Sequence, residues 1–279
     1  MGRRRVYAGA TWINLCLALV LGGCVSQERP QTPSTPTPAP APQTDERPAA
    51  PQPPLRVGLT PNFPPVIFKA EGHLTGLEVD LAHGLNEQLG RPIELVEIDW
   101  EALIPALEDG RIDVIMSGMS ITEARAQRVR FVEPYLRIGQ MAIIRKVDSL
   151  KWGSPAMLAR MTGRVGFVAG TTGAAYVQEH LPQTEHVPVQ SADEGLEALR
   201  AETMDVFVHD ALTAWRGGEN ESTDILTSSF SPLTEEYLAW AVRKTDDALH
   251  RDLETVLVRW RSSGRLQELF HKWLRFRMG

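Results

Sequence analysis

Strand-like segments alternate with segments of helical periodicity from residue 55 to the C-terminus. The strand-like segments are short and rich in Val, Ile and Leu, at 56–60, 93–98, 113–117, 141–145, 164–168, 205–208 and 238–243. Between two of them, Leu77, Leu81, Leu85 and Leu89 recur every fourth residue and so share one helix face. Because alternation of this kind packs helices against a largely parallel sheet, the sequence predicts an α/β fold.

Residues that typically begin or end helices mark the helical segments. Gly90 ends the first helix, and Ser191 and Glu194 have the spacing of a capping box for a helix that reaches about residue 202. Asp246 suits the positive N-terminus of a long helix, which Gly264 ends. The predicted helices therefore lie at 78–89, 101–108, 192–202, 246–263 and 265–273.

The N-terminal segment has the features of an export signal. Three arginines at 3–5 precede an apolar run over 6–21, which is shorter than the ~20 residues of a membrane-spanning helix. The run ends in Gly-Gly-Cys24, which resembles a bacterial lipobox, so we expect a signal peptide over 1–23 and lipidation of Cys24. Val25, the residue after this cysteine, favours an anchor in the outer membrane, with the protein itself in the periplasm. The alternative is an ordinary signal peptide with an incidental cysteine.

Residues 24–54 are rich in Pro, Thr, Gln and Ala and lack the apolar bulk that a folded core needs. A proline-rich chain extends by about 3.1 Å per residue, so we expect a spacer on the order of 90 Å long. The whole chain has 29 basic and 35 acidic residues, for a formal net charge of −6. This balance argues against a nucleic-acid partner, and we expect a monomer.

Five segments together resemble the bacterial extracellular solute-binding proteins of family 3, which are periplasmic amino-acid-binding proteins of ABC transporters. The segments are LTGLEVDLA (74–82), WEALIPALEDGRIDVIMSGMSITEAR (100–125), FVEPY (131–135), GRVGFVAGTTG (163–173) and DVFVHD (205–210). The resemblance implies a two-lobed periplasmic binding protein fold of type II. Lobe 1 would hold 55–140 and 239–279, and lobe 2 would hold 141–238. The hinge would use Gly139 to Ile144 and Leu238 to Ala241.

The resemblance also implies a ligand site between the lobes. Arg125 would pair with the carboxylate of an amino-acid-like ligand through its guanidinium fork, and Asp210 would accept the ammonium group. From the residues alone, Arg125 could instead be a solvated arginine and Asp210 a helix cap. The remaining expected contacts are two aromatic walls, a turn, an apolar position and a helix start: Phe63, Trp100, Ser117, Gly118, Ser120, Val168 and Thr172.

The residue type at one position bears on the ligand. Relatives that bind basic amino acids tend to carry an acidic residue where this chain has Thr60, and Val168 is apolar at a second selectivity position. We therefore expect a ligand with a neutral side chain. We expect neither a metal nor another cofactor, because the seven histidines show no paired ligand spacing.

Two other functions remain open. Some proteins of this fold resemble cyclohexadienyl dehydratases, but such a reaction needs a general acid in the cleft, and we find no unpaired acid at a motif position other than Asp210, which already has a role as the ammonium acceptor. The segment 134–141 resembles the binding region of membrane-bound lytic transglycosylases, which would suit a sensor of cell-wall peptides. A binding protein that serves an ABC permease, and not an enzyme, is the function that the resemblance favours.

Overall fold

The computed structural model describes residues 52–217 and 225–274. The predicted signal peptide, Cys24 and the predicted spacer up to residue 51 lie outside the described residues. No helix in the described ranges combines the length and the apolar character needed to cross a bilayer.

The described residues form fifteen strands and ten α-helices. The strands are β1 (Leu55–Leu59), β2 (Asn62–Phe63), β3 (Ile67–Ala70), β4 (His73–Thr75), β5 (Ile93–Glu97), β6 (Val114–Ile115), β7 (Arg130–Phe131), β8 (Leu136–Ile138), β9 (Gln140–Arg145), β10 (Arg164–Val168), β11 (Glu185–Val189), β12 (Val206–Asp210), β13 (Leu226–Ser228), β14 (Glu236–Leu238) and β15 (Ala241–Val242). The helices are α1 (Leu77–Leu89), α2 (Leu103–Glu108), α3 (Glu123–Ala126), α4 (Ser149–Trp152), α5 (Pro155–Leu158), α6 (Thr172–His180), α7 (Ala192–Arg200), α8 (Ala211–Gly217), α9 (Asp247–Ser263) and α10 (Arg265–Trp273).

Two five-stranded sheets organise the chain into two lobes. The first lobe has the order β5-β1-β6-β15-β7, in which β1 runs parallel to β5 and β6 while β15 runs antiparallel to β6 and β7. The second lobe has the order β11-β10-β12-β9-β13, in which β10 runs parallel to β11 and β12 while β9 is antiparallel to β12 and β13. Each lobe is thus a mixed α/β unit with three parallel strands.

The chain passes between the lobes twice, along neighbouring strands. β8 and β14 pair antiparallel, with Ile138 opposite Glu236 and Leu136 opposite Leu238. After β8 the chain continues directly into β9 of the second lobe, and after β14 it returns through β15 to the first. This two-stranded ladder connects the two lobes, and a hinge at this connection, through Gly139 to Ile144 and Leu238 to Ala241, stays a prediction. The lobe limits given above stay a prediction.

In the first lobe, the helix face that the sequence pattern predicted to be apolar packs into the core. Leu77, Leu81 and Leu85 of α1 are fully buried, and they share a core cluster with Trp260 of α9. Trp240, between β14 and β15, is also fully buried in that cluster. In the second lobe, separate clusters cover the two faces of the sheet, as expected for a sheet between helices.

The predicted strand at 238–243 differs from the observed structure. Instead of one strand, the chain forms β14 and then β15, separated by Ala239 and Trp240. The break occurs because the pairing partner changes there, from β8 in the hinge to β6 and β7 in the first lobe. Similarly, the predicted strand at 113–117 pairs only at Val114–Ile115, since the residues after it form a turn.

Candidate functional site

Four loops meet between the lobes, each at the carboxyl end of a parallel strand. They follow β1 and β6 in the first lobe, and β10 and β12 in the second. Carboxyl ends of parallel strands are where α/β sheets commonly place ligand sites, because helix N-termini and short turns converge there. The topology therefore explains why residues far apart in sequence meet in one cleft.

A single cavity brings together all nine side chains or backbone positions that the sequence analysis selected. It contains about 480 Å³ of space not filled by atoms, part of it open to solvent. Its lining residues are Asn62, Phe63, Trp100, Ser117, Gly118, Ser120, Arg125, Val168, Thr171, Thr172, Ala192, His209 and Asp210. Their role in holding a ligand stays a prediction, and four of the thirteen were not predicted.

Arg125 reaches across the cleft from the first lobe. It lies in α3, whose cap is Thr122, which accepts a hydrogen bond from the Arg125 backbone N–H at 3.2 Å. The guanidinium donates to the carbonyl of Ser120 at 2.8 Å and to the carbonyl of Gly170, in the second lobe, at 3.2 Å. It also lies 5.2 Å from the ring centre of Trp100. These contacts fix the guanidinium plane, while its five N–H groups leave donors for an anion.

Opposing effects act on the charge of Arg125. Burial lowers its pKa, and the carboxylates of Glu236 and Asp210 act in the opposite direction. An arginine stays protonated under all ordinary conditions, so the guanidinium supplies a fixed positive charge to the cleft. That charge, with its remaining donors, suits a carboxylate.

Asp210 is the last residue of β12, in the second lobe, and its carboxylate faces the same cavity. Gln140 Nε2 donates to its Oδ1 at 3.1 Å. Burial raises the pKa of Asp210 to about 7, and the nearby Glu236 carboxylate adds to the rise, while Gln140 and Arg125 act against it. Near neutral pH the group is therefore close to half ionised, and a bound cation would favour its ionised form.

The turn after β6 is held in place by hydrogen bonds that occupy several of its polar groups. Ser117 Oγ accepts from the Thr60 backbone N–H at 2.9 Å, and the Gly118 N–H donates to Glu78 Oε1 at 3.2 Å. Gly118 has φ of 63°, and a Cβ there would lie 3.0 Å from the Phe63 ring. Glycine is thus required both by the left-handed conformation and by the close ring.

Thr172 begins α6, whose cap is Thr171, the acceptor for the Ala174 N–H at 3.2 Å. The Thr172 hydroxyl donates to Glu236 Oε2 at 2.8 Å and accepts from Gln140 Nε2 at 3.1 Å. Because the first backbone N–H groups of a helix have no partner within it, this end of α6 can serve an anion in the cleft.

The remaining lining is apolar or uncharged. Phe63 and Val168 are buried, and the Trp100 indole donates to the Gly170 carbonyl at 3.0 Å. His209 packs against Phe63 with a ring-centre distance of 5.6 Å. Burial, aided by Arg216, lowers the pKa of His209 to about 3, so its ring is neutral. Within the part of the chain that the structure describes, its buried Nδ1 has no hydrogen-bond partner.

Thr60 does not line the cavity. Its hydroxyl instead donates to the Ile98 carbonyl at 2.7 Å. Among the described residues, no group of three or more His, Cys, Asp or Glu is arranged to hold a metal ion. In the described parts of the chain, the cavity lining combines hydrogen-bonding and apolar groups with the charged side chains of Arg125 and Asp210. Glu236 adjoins the lining through hydrogen bonds from Ser120 and Thr172.

Glu236 and Gln140 belong to the site but were missed from the sequence. Both lie at the hinge, Glu236 at the start of β14 and Gln140 at the start of β9. Glu236 lies outside the quoted motifs, and it adds a second carboxylate that is linked to Asp210 through Thr172 and Gln140. Ser120 Oγ donates to Glu236 Oε2 at 2.6 Å across 116 positions in the sequence. No local pattern indicates such a pair, whereas the missed lining residues Asn62, Thr171 and His209 each adjoin a predicted one.

Comparisons with known proteins agree with this architecture. The family model of the bacterial extracellular solute-binding proteins, family 3, matches residues 55–276. The ABC transporter glutamine-binding protein GlnH of Bacillus subtilis is 26% identical over 209 residues, which cover 74% of this chain and 75% of the relative. The histidine-binding periplasmic protein of Salmonella typhimurium is 28% identical over 231 residues, covering 80% and 88%.

A solved structure shares the arrangement of the lobes. The ancestral amino-acid-binding protein AncCDT-1, described as a precursor of cyclohexadienyl dehydratase, matches with a TM-score of 0.73 and 30% identity, over 78% of this chain and 94% of that one. The predicted two-lobed periplasmic binding protein fold of type II is therefore confirmed. On its fold and on a family match that covers most of its length, the chain belongs to the bacterial extracellular solute-binding proteins of family 3.

Proposed function

We propose that the protein binds a free amino acid in the cleft, with the ligand carboxylate on Arg125 and its ammonium group on Asp210. The observation that carries the proposal is that these opposite charges come from different lobes and face one cavity. A zwitterion bridging them contacts both lobes at once, and only a closed cleft provides both contacts. Ligand binding is thereby coupled to closure.

The lining supports a ligand with a neutral side chain. Away from Arg125 and Asp210 the cavity is bordered by Phe63, Trp100, Val168, and the uncharged Asn62 and His209. A cationic side chain placed there would lose its hydration without gaining a carboxylate partner, which is costly. The relatives named above bind glutamine or histidine by their names, so the choice of side chain rests on the lining.

The transport role completes the proposal. In this proposal the protein is exported to the periplasm and anchored by lipid on Cys24, and Val25 directs the anchor to the outer membrane. The protein works as a monomer that delivers its ligand to an ABC permease. It acts by binding and does not catalyse a reaction. The family match and the export-like N-terminus support these points.

A thermal-shift screen of the purified protein against the standard amino acids tests the proposal. A ligand that binds only the folded state adds about 2.7 kcal/mol of stability at a hundredfold excess over its dissociation constant. We expect a clear shift with a neutral amino acid. In Arg125→Ala and Asp210→Asn the affinity should fall about 30-fold or more, since loss of one partner from a buried charged pair costs roughly 2 kcal/mol or more.

Arg128→Ala is the matched control, because Arg128 is exposed, lies just after α3 and pairs with Glu108 outside the cavity. It should keep the wild-type shift. Prephenate and short cell-wall peptides belong in the same screen. A shift with a cell-wall peptide but with no amino acid would favour the sensor, and turnover of prephenate would favour the dehydratase. Either result would overturn the proposal.

A further inference from the structure

Glu236 is a buried carboxylate whose oxygens both accept hydrogen bonds from hydroxyl groups. Its Oε2 accepts from Ser120 Oγ at 2.6 Å and from Thr172 Oγ1 at 2.8 Å, and its Oε1 accepts from Thr234 Oγ1 at 2.7 Å. The residue is 8% exposed. Three O–H donors around one carboxyl group suit the ionised form, which only accepts hydrogen bonds.

The hydrogen bonds to Glu236 come from both lobes. Ser120 follows β6 in the first lobe, Thr172 begins α6 in the second, and Glu236 itself lies on the hinge strand β14. The connection continues, because Gln140 Nε2 bonds both the Thr172 hydroxyl and Asp210 Oδ1, each at 3.1 Å. A continuous hydrogen-bonded chain therefore runs from Ser120 through Glu236 to Asp210.

Among the described residues, the charged and titratable groups that face Asp210 come from four segments. Arg125 of α3 is the only fully charged cation among them, Glu236 of β14 is a second carboxylate, and Tyr135 has its pKa raised, mainly by burial and by Glu78, with Asp210 as a lesser cause. His209, whose Nδ1 lies 3.7 Å from Asp210 Oδ2, is neutral. With Asp210 ionised, these residues hold two negative charges against one positive charge.

We propose that Glu236 is a positioning residue that orients the Ser120 and Thr172 hydroxyls across the cleft and, as a second carboxylate beside Asp210, sets the pH range in which the cleft holds an ammonium group. The inference rests on the proposed amino-acid site and adds a dependence of ligand binding on pH. The ligand ammonium and a proton compete for the Asp210 carboxylate. Because Glu236 favours the proton on Asp210, it makes binding depend on pH near neutrality.

The substitution Glu236→Gln separates charge from shape. A glutamine has nearly the same size, and its amide oxygen can still accept from both hydroxyls, but the negative charge is gone. Glu235→Gln is the matched control, since Glu235 is the preceding residue, loses the same charge, and is exposed with Arg137 and Tyr237 as its partners. Both variants should fold.

The first measurement is an NMR titration of the Asp210 carboxyl carbon in the unliganded protein, assigned with Asp210→Asn. We expect a wild-type midpoint of about 7, a midpoint lower by on the order of half to one unit in Glu236→Gln, and no change in Glu235→Gln. An unchanged midpoint in Glu236→Gln, or an equal shift in the control, would overturn the inference. This titration needs no ligand, so its outcome is independent of whether the proposed function holds.

The second measurement compares binding at pH 6 and pH 8, with whichever standard amino acid gives the largest thermal shift. For a site that binds only with Asp210 ionised, affinity should be about tenfold weaker at pH 6 in the wild type and about two- to fourfold weaker in Glu236→Gln. A tenfold loss in both would contradict the proposal. If Glu236→Gln does not fold, the ligand affinity of Glu236→Asp tests the positioning role instead. The shorter side chain cannot reach both hydroxyls, so affinity should fall, and an unchanged affinity would contradict the positioning role.

Discussion

Glu78 is a buried carboxyl group directly behind the cavity wall. It accepts hydrogen bonds from the Gly118 N–H at 3.2 Å, from the Tyr135 hydroxyl at 2.6 Å and from the Trp240 indole at 3.0 Å. Glu78 thus connects the turn after β6 to Tyr135, which precedes β8, and to Trp240, which follows β14. The position of the turn that lines the cavity depends on a residue that lies in α1.

Burial raises the pKa of Glu78 to about 7, against the effect of its three donors. Because the folded-state pKa lies above that of the unfolded chain, the stabilisation is fully present below about pH 4.5 and is lost as the pH rises through about 7. The change amounts to roughly 3 kcal/mol. In Glu78→Gln this contribution disappears, so the free energy of unfolding should fall less steeply between pH 5 and pH 7.

Denaturant unfolding at a series of pH values measures that slope. Glu87→Gln is the control, since Glu87 is exposed on the same helix α1, and it should keep the wild-type slope. If Glu78→Gln showed the same decline with pH as the wild type, the raised pKa of Glu78 would be wrong. Asp210 also has a raised pKa, so part of the decline should remain in every variant that keeps it.

At the scale of residues, the sequence identified side chains at the motif positions that we selected, but not side chains whose surroundings come from distant segments. Residues selected within the recognised motifs reach the cavity, Asp210 because it ends β12 and Arg125 because it lies in α3, after the turn that follows β6. Glu236 lies outside those motifs, and His209 lies within one but was not selected. Their surroundings come from distant segments, since Glu236 accepts hydrogen bonds from Ser120 and Thr172 and His209 packs on Phe63. Such surroundings depend on how the lobes pack, which spacing along one chain does not specify.

At the scale of elements, the long amphipathic helices were the most predictable. α1 and α9 end at Gly90 and Gly264, both with positive φ, as expected for glycine at a helix end. The three short strands β2, β3 and β4 were not predicted. Each has only two to four residues, which is too short to show an alternating pattern, and pairing with one another defines them.

The start of α9 provides a test at this scale. Asp246 caps the helix by accepting from the Leu249 N–H at 3.1 Å, and it lies 3.4 Å from Arg243. Asp246→Ala removes the cap, so the free energy of unfolding should fall by about 1 kcal/mol. Asp246→Asn keeps an acceptor and should retain most of the stability. If both variants were equally destabilised in denaturant unfolding, the ion pair with Arg243, rather than the cap, would be responsible.

At the scale of the whole molecule, function depends on how the chain crosses between its lobes. β8 and β14 are neighbours in the hinge, and each is followed at once by a strand of a different sheet. Glu236 and Gln140 sit where these crossings meet the cleft. The proposed ligand, paired with Arg125 and Asp210, would therefore act on the same hydrogen-bonded groups that join the lobes, and occupancy of the cleft would be coupled to closure.

The proposed amino-acid site is tested most directly by calorimetric titration of the protein at pH 8, where Asp210 is mostly ionised. Each of the twenty standard amino acids is titrated separately. We expect one ligand per protein, and tighter binding of a neutral amino acid than of lysine, arginine or histidine. Tightest binding of a basic amino acid would contradict the assignment of the side-chain pocket, and no binding by any amino acid would contradict the bridge between Arg125 and Asp210.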